Sequence, residues 1–180
     1  RELIVAKWNV WNGANDRLGD GYYVNGWVQL LNYWEVAGGM HVGRDVYSDR
    51  LTRGGPLMRS PGFRAVFAEV ESDERKPVSV NLEGEHQWDT SGGWRTTGEL
   101  AINIKPSTTW SVSVGPEVMR QLNTAQYVRT VTDPAAASTF GARYVFGELT
   151  QNEVSMTTRV NLILSPRVSL QVYAQPLLSA

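Results

Sequence analysis

The sequence predicts an all-β protein and, more narrowly, an antiparallel up-and-down transmembrane β-barrel of about ten strands. Apolar and polar residues alternate along most of the chain, which is typical of strands with one apolar and one polar face. The predicted strands are about ten residues long, which suits a tilted strand crossing a bilayer, whereas strands of soluble sheets average about five to six residues. No run approaches 18 apolar residues, so no transmembrane helix is predicted.

The alternation is clearest near the end of the chain. Val160, Leu162 and Leu164 alternate with polar residues, and after a Ser165-Pro166-Arg167 turn the same period resumes. The predicted strands cover residues 2–13, 22–31, 34–46, 63–71, 78–88, 94–104, 110–114, 140–149, 154–164 and 168–175. Residues 115–138 are harder to interpret, although 126–132 has an extended pattern and Asp133-Pro134 is typical of a loop tip.

The predicted connections alternate between long and short. Residues 48–61 contain two glycines and two prolines and form the clearest irregular loop. The connections after the first, third and seventh predicted strands are long and those after the second, fourth, sixth and eighth are short, but the Ser165-Pro166-Arg167 turn is short on the long side. Outer-membrane barrels have short turns on the periplasmic side and longer loops outside. The connection pattern therefore favours a membrane barrel over a soluble sandwich.

Composition excludes several classes of function. The 17 Lys and Arg nearly balance the 18 Asp and Glu, giving a net charge of -1, so we expect no nucleic-acid partner. The absence of cysteine excludes disulfides and thiol chemistry. No motif for a cofactor or a metal ion is present, so none is predicted. The length fits one domain, residues 1–180, which is a whole barrel or the C-terminal fragment of a larger one.

Charged residues recur on the polar faces of the predicted strands. Such charges are costly in a sandwich core but are normal on the wall of a water-filled lumen. The lumen-lining candidates are Glu83, Glu85, Arg95, Glu99, Arg143 and Arg159. The loop candidates for a lumen constriction are Arg53, Gly54, Gly55 and Pro56. Trp88, Trp94 and Trp110 lie near strand ends, where aromatic girdles of membrane barrels are found.

The sequence gives weak support for catalysis. His86 shares the apolar side of its strand and has no Asp or Ser partner in sequence, and His41 offers no stronger case. Glu83 and Glu85 would lie about 7 Å apart along one strand, but nothing predicts a sugar-binding cleft around them. We therefore predict no catalytic residue.

Several segments resemble a known family when they are taken together. They are residues 140–149 (FGARYVFGEL), 156–161 (MTTRVN), 169–176 (SLQVYAQP), 52–56 (TRGGP), 72–77 (SDERKP) and 126–128 (QYV). Together they resemble the C-terminal region of an uncharacterised bacterial family that joins an N-terminal carbohydrate-binding-type (family nine-like) β-sandwich to a large outer-membrane-type β-barrel. The likeness runs from about residue 50 onward. The N-terminal sandwich, the earlier part of the barrel and a terminal aromatic residue have no counterpart here.

The resemblance implies a location in the Gram-negative outer membrane, with membrane lipid and the barrel-assembly machinery as partners. The leading expectation is a porin-like barrel that serves as an anchor or as a passive pore for small solutes or saccharides. Two alternatives stay open. One is a soluble β-sandwich or barrel that binds carbohydrate through surface aromatic residues, and the other is a membrane-embedded hydrolase.

Overall fold

The computed structural model describes residues 1–180 and confirms that the chain is all-β and antiparallel. Its strands are β1 (Glu2–Trp11), β2 (Arg17–Gln29), β3 (Glu35–Gly43), β4 (Val46–Ser48), β5 (Met58–Ser60), β6 (Phe63–Glu71), β7 (Val78–Asp89), β8 (Trp94–Ile104), β9 (Trp110–Thr132), β10 (Ala142–Ser165), β11 (Val168–Ala174) and β12 (Leu177–Ser179). The one helical element is a single 3₁₀ turn, Ala137–Thr139. No helix in the structure is long and apolar enough to cross a membrane.

One large sheet contains all the strands except β4 and β5. Its order is β1-β2-β3-β6-β7-β8-β9-β10-β11, so each strand pairs with its neighbour in the chain, apart from the β4–β5 hairpin inserted between β3 and β6. After Pro176 the chain continues as β12, which pairs with β10 further along the same side as β11. The topology is therefore up-and-down, as the alternation predicted.

The boundaries of the later strands differ from the prediction. Residues 140–149 and 154–164 were expected to be two strands, but they belong to the single strand β10, and most of 115–138 belongs to β9. The register between β9 and β10 shifts at Val145/Phe146 and again at Gly147/Leu149. These shifts lie within the predicted strand 140–149. The predicted break is the polar run Thr150 to Glu153, which pairs with Leu122 to Met119 of β9 without a shift. The pattern therefore breaks where the strand does not.

The sheet is not closed into a barrel. β1 pairs only with β2, and β11 pairs only with β10, so each has one free edge. The path contains nine antiparallel strand positions. The first and last strands consequently run in the same direction.

The two faces of the sheet differ in chemistry, and several large apolar side chains on one of them are exposed. The apolar face includes Val80 and Leu82 on β7 and Val118 on β9, with Leu82 56% and Val118 51% exposed. The opposite face, here called the polar face, carries the strand residues of opposite parity and is the more sheltered one; buried Ser79 and Ser155 lie on it. The sheet therefore curls toward its polar side.

Very little of the chain forms an apolar core. Only Ala65 and Met119 are buried hydrophobic residues, and both lie on the polar face. The only other sheet is the two-stranded β4–β5 hairpin, so no second large sheet packs on the apolar face as it would in a β-sandwich.

Candidate functional site

Four glutamates form a row across the polar face, here called the glutamate row: Glu69, Glu83, Glu99 and Glu117. Glu69 pairs in register with Glu83, Glu83 with Glu99, and Glu99 with Glu117, so the row runs from β6 to β9. Residues directly opposite each other across antiparallel strands have Cβ atoms about 5 Å apart. The pairing thus concentrates four carboxylates in one line.

The glutamate row has no basic partner. Every salt bridge in the structure uses an aspartate, and none uses a glutamate. The row has only neutral donors: Asn81 Nδ2 donates to Glu69 Oε1 at 2.6 Å, and Ser155 Oγ donates to Glu117 Oε2 at 3.4 Å. Because like charges directly opposite each other repel, this part of the polar face favours mobile cations nearby.

The structure brings five of the six predicted lumen residues onto this face. Glu83 and Glu99 belong to the glutamate row, Glu85 is two residues from Glu83, and Arg95 pairs with Gln87 nearer one end of the sheet. Arg159 lies toward the other end, with its guanidinium carbon 5.2 Å from the Tyr173 ring centroid.

Arg143 lies apart from the other five. It sits on the outer part of β10, pairs in register with Val131, and forms a salt bridge with Asp133. Its side chain is exposed, whereas those of Ala142 and Tyr144 on either side are half-buried. The sequence predicted Arg143 as a lumen residue together with the glutamates, but the structure places it away from them.

The remaining half of the polar face, from β1 to β6, is aromatic. Trp8 covers Gly21, where an added Cβ would lie 2.7 Å from the indole, and Phe67 covers Gly39 in the same way at 2.8 Å. His41 Nε2 lies 3.1 Å from Asn25 Oδ1. The glycines let these rings lie close against the sheet.

His86 faces the opposite, apolar side. It stacks on Trp88, with ring centroids 5.5 Å apart, and hydrogen-bonds with Thr96 Oγ1 at 2.7 Å. Neither histidine contacts a serine or a carboxylate in the geometry of a catalytic triad. No group of three or more His, Asp or Glu side chains is arranged to hold a metal ion.

The three predicted girdle tryptophans lie at the two ends of the apolar face. Trp88 pairs in register with Trp94 at one end, and Trp110 begins β9 at the other. Each is a little over one-third exposed. The ten-residue rise from Trp94 to Ile104 spans about 34 Å, which at a tilt of about 40° corresponds to a height of about 26 Å. Outer-membrane barrels have an apolar band of about 25 Å.

A long loop, residues 44–62 and here called the strap, leaves the end of β3 and returns to β6. Its base is organised by Asp45, which accepts hydrogen bonds from Gly62 N at 2.6 Å and Thr90 Oγ1 at 3.0 Å and forms a salt bridge with Arg59. The Gly62 amide, then the Arg59 guanidinium and the Thr90 hydroxyl, lower the pKa of Asp45 below its ordinary value.

The predicted constriction residues Arg53, Gly54, Gly55 and Pro56 form the tip of the strap. The tip contacts residues 123–149, here called the hairpin extension, the part of β9 and β10 that projects beyond the end of β8. The Arg53 guanidinium lies over the Tyr127 ring at 4.6 Å, and Gly55 touches the Tyr144 ring. A cavity of about 750 Å³ lies between the strap and the extension.

The connections at the other end of the sheet are short. Four turns there join β2 to β3, β6 to β7, β8 to β9 and β10 to β11. In the second of them, Asp73 forms a salt bridge with Arg75 at 2.7 Å, and Arg75 lies over the Tyr33 ring. The strap and the hairpin extension are both at the opposite end. The two longest connections therefore lie at one end, as predicted, but the β1–β2 and β7–β8 connections at that end are as short as the turns at the other.

No family model, curated protein or solved structure matches this chain.

Proposed function

We propose that this chain forms part of the wall of a transmembrane β-barrel in the Gram-negative outer membrane. Its apolar face contacts lipid and its polar face lines a water-filled interior. The carrying observation is that large apolar side chains such as Leu82 and Val118 are more than half exposed on one face, whereas the glutamate row lies on the face that carries the buried residues Ser79, Ala65, Met119 and Ser155. An exposed apolar surface of this extent marks a membrane or a partner interface. Lys7, Arg64 and Arg120 share this face near its Trp88–Trp94 end, and the tryptophans at both ends support the membrane.

Closure of such a barrel needs further strands. Free strand edges are not tolerated in the hydrocarbon region, because their N–H and C=O groups have no partner there. β1 and β11 run in the same direction, so an all-antiparallel closure requires an odd number of additional strands between them. A second copy in the same membrane orientation would meet these edges in parallel. We propose that the additional strands come from another segment of the assembled barrel, as the resemblance to a family with a larger barrel implies.

The proposed activity is passive passage of small solutes with a preference for cations. The glutamate row places four carboxylates on the interior wall without a basic partner. Rings of acidic side chains are a common basis of cation preference in pores. A barrel wall could also serve as an anchor for an attached domain. An anchor would not need a charged interior, however, whereas a cation-selective pore would.

The absence of cysteine makes the assignment of faces directly testable. Leu82→Cys and Glu83→Cys are adjacent positions on opposite faces, and Val118→Cys and Glu117→Cys form a second matched pair. Each variant is labelled with bimane and reconstituted in vesicles containing doxyl-labelled lipid. We expect strong quenching at positions 82 and 118 and weak quenching at 83 and 117. Equal quenching within each pair, or a chain that stays monodisperse in buffer and does not float with vesicles, would overturn the proposal.

A further inference from the structure

We propose that the strap is a hinged gate over the entrance of the barrel interior, with a fixed base and a tip that releases from the hairpin extension. This inference rests on the proposed function, because only a barrel interior has an entrance to close. It concerns residues 44–62 and the residues they contact, and it adds a moving part to an otherwise passive wall.

The base of the strap is fixed to the sheet by polar contacts. Asp45, at the start of the strap, accepts a hydrogen bond from Gly62 N at its end and forms a salt bridge with Arg59. It also accepts a hydrogen bond from Thr90 in the β7–β8 turn. Thr90 N in turn donates to Gly62 O at 2.9 Å. The β4–β5 pairing holds the two arms of the strap together. The base therefore moves with the sheet.

The tip of the strap contacts a strand that is distant, in the sheet order, from the two strands that hold its base. Tyr127 belongs to β9, which is three strand positions beyond β6 in the sheet order. A strap that starts between β3 and β6 and touches β9 must pass the ends of β7 and β8. Tyr144, the second residue it touches, is on the half-buried side of the extension. The strap thus crosses the end of the sheet on its sheltered side.

The tip is internally rigid. Thr52 is 3% exposed, and its Oγ1 donates to Pro56 O at 2.8 Å, which closes a small loop. Arg53 and Gly54 inside this loop both have positive φ, 51° and 99°. A non-glycine side chain at position 54 would be strained in that conformation. The tip therefore moves as a unit.

The contact between the tip and the extension is weak by comparison with the base. It includes the Arg53–Tyr127 cation–π contact and the packing of Gly55 on the Tyr144 ring, and no hydrogen bond or salt bridge joins the two segments. A cation–π contact changes an equilibrium by about 2- to 30-fold. We expect a tip held by such a contact to exchange between closed and open states, and the cavity of about 750 Å³ beside it leaves room for movement.

The charge of the tip gives the gate an effect on cations. Arg53 lies on the tip and Arg50 lies three residues before it, and in the closed state both stand at the end of the sheet through which a cation would reach the glutamate row. Their positive charge opposes cation entry. Release of the tip removes both the obstruction and part of this repulsion.

Single-channel recording of the assembled barrel, which is this chain together with the additional strands that close it, tests the gate in planar bilayers. Tyr127→Leu removes the ring but no charge, and we expect it to raise the ratio of open to closed dwell times by about 2- to 30-fold. Arg53→Gln should raise the ratio similarly. Arg50→Gln is the matched control, because the Arg50 side chain is 95% exposed and its one salt bridge is to Asp49, at 3.9 Å. The substitution removes a charge without removing the contact with Tyr127. Equal dwell-time ratios in wild type, Tyr127→Leu and Arg53→Gln would overturn the gate.

A cross-linking experiment distinguishes failure of the gate from failure of the proposed pore. A chain with Gly55→Cys and Tyr144→Cys is treated with a short bis-maleimide, and the cross-linked form is recognised by its altered mobility on denaturing gels. We expect cross-linking to abolish the transitions and hold the closed level. Failure of the two sites to cross-link, or a cross-linked chain with unchanged transitions, would overturn the gate alone. The absence of conductance in every variant would overturn the proposed pore and the gate with it.

Discussion

Glu83 lies directly opposite Glu99 across β7 and β8, and neither carboxylate has a basic partner. Directly opposed like charges destabilise a sheet, each pair by a few tenths of a kcal/mol up to about 1 kcal/mol. An arrangement of this kind costs stability without improving packing. It is therefore expected where the negative charge serves a purpose, and cation passage along the polar face is such a purpose.

The combined change Glu83→Gln and Glu99→Gln tests this relationship. We expect the free energy of unfolding to rise by about 0.5–1 kcal/mol, since the repulsion is removed while the shape is kept. In planar bilayers under a salt gradient, the reversal potential should move toward that of a non-selective pore. Glu148→Gln is the control, because Glu148 lies in the hairpin extension away from the row. An unchanged reversal potential in the double variant would contradict a role in selectivity.

The apolar face predicts a strong difference between adjacent positions. Val118 is 51% exposed on the apolar face near the middle of β9, and Glu117 is its neighbour on the polar face. A charged residue facing lipid near the midplane costs about 2–4 kcal/mol. Val118→Arg should therefore lower the free energy of unfolding in lipid by about that amount. Glu117→Arg should not lower it, because the arginine faces Glu99. Urea titrations in vesicles measure both, and similar losses in the two variants would argue against a lipid-facing side.

The turn between β6 and β7 gives a prediction for pH dependence. Hydrogen bonds from the Arg75 guanidinium lower the pKa of Asp73 from 3.8 to about 2. Because the folded-state pKa is the lower one, the stabilising contribution is fully present above about pH 4 and is lost as the pH falls toward 2. Asp73→Asn should remove this part of the pH dependence.

Denaturant midpoints between pH 2 and pH 6 measure the effect of Asp73. Asp49→Asn provides the comparison, because Asp49 is partly exposed and its nearest basic group, on Arg50, is 3.9 Å away. We expect the Asp49 variant to follow the wild-type pH profile. An Asp73→Asn profile that is parallel to the wild-type profile below pH 4 would show that the turn contributes no pH dependence.

Periodicity along the chain was sufficient to predict the all-β class and the parity of each face. The alternation of Val80 and Leu82 with Asn81 and Glu83 depends only on local sequence, and the structure keeps it. The glutamate row could not be predicted in the same way. Glu69 and Glu117 join Glu83 only through the register between strands, and that register depends on pairing over long sequence distances.

The full length of β10 and the contacts of the strap could not be predicted from a local sequence pattern. The polar run at residues 150–153 interrupts the apolar alternation of β10 and made one strand look like two, although it pairs with β9 without a break. The strap tip was predicted as a constriction from its glycines and proline, but its contact with Tyr127 requires the curl of the whole sheet. Sequence therefore predicted the composition of the site better than its assembly.

The aromatic half of the polar face leads to a last prediction, at Gly39. A Cβ at this position would lie 2.6 Å from Val24 O and 2.8 Å from the Phe67 ring, and the backbone oxygen cannot move aside without disturbing β2. Gly39→Ala should lower the free energy of unfolding by about 1–3 kcal/mol, the usual cost of overpacking. Gly84→Ala is the matched control on β7, because the nearest atom to its Cβ would be 3.8 Å away. We expect that control to leave stability unchanged or to raise it by about 0.5 kcal/mol, since alanine loses less conformational entropy than glycine. Equal effects of the two substitutions in denaturant titrations would show that the rings do not pack against the glycines as described.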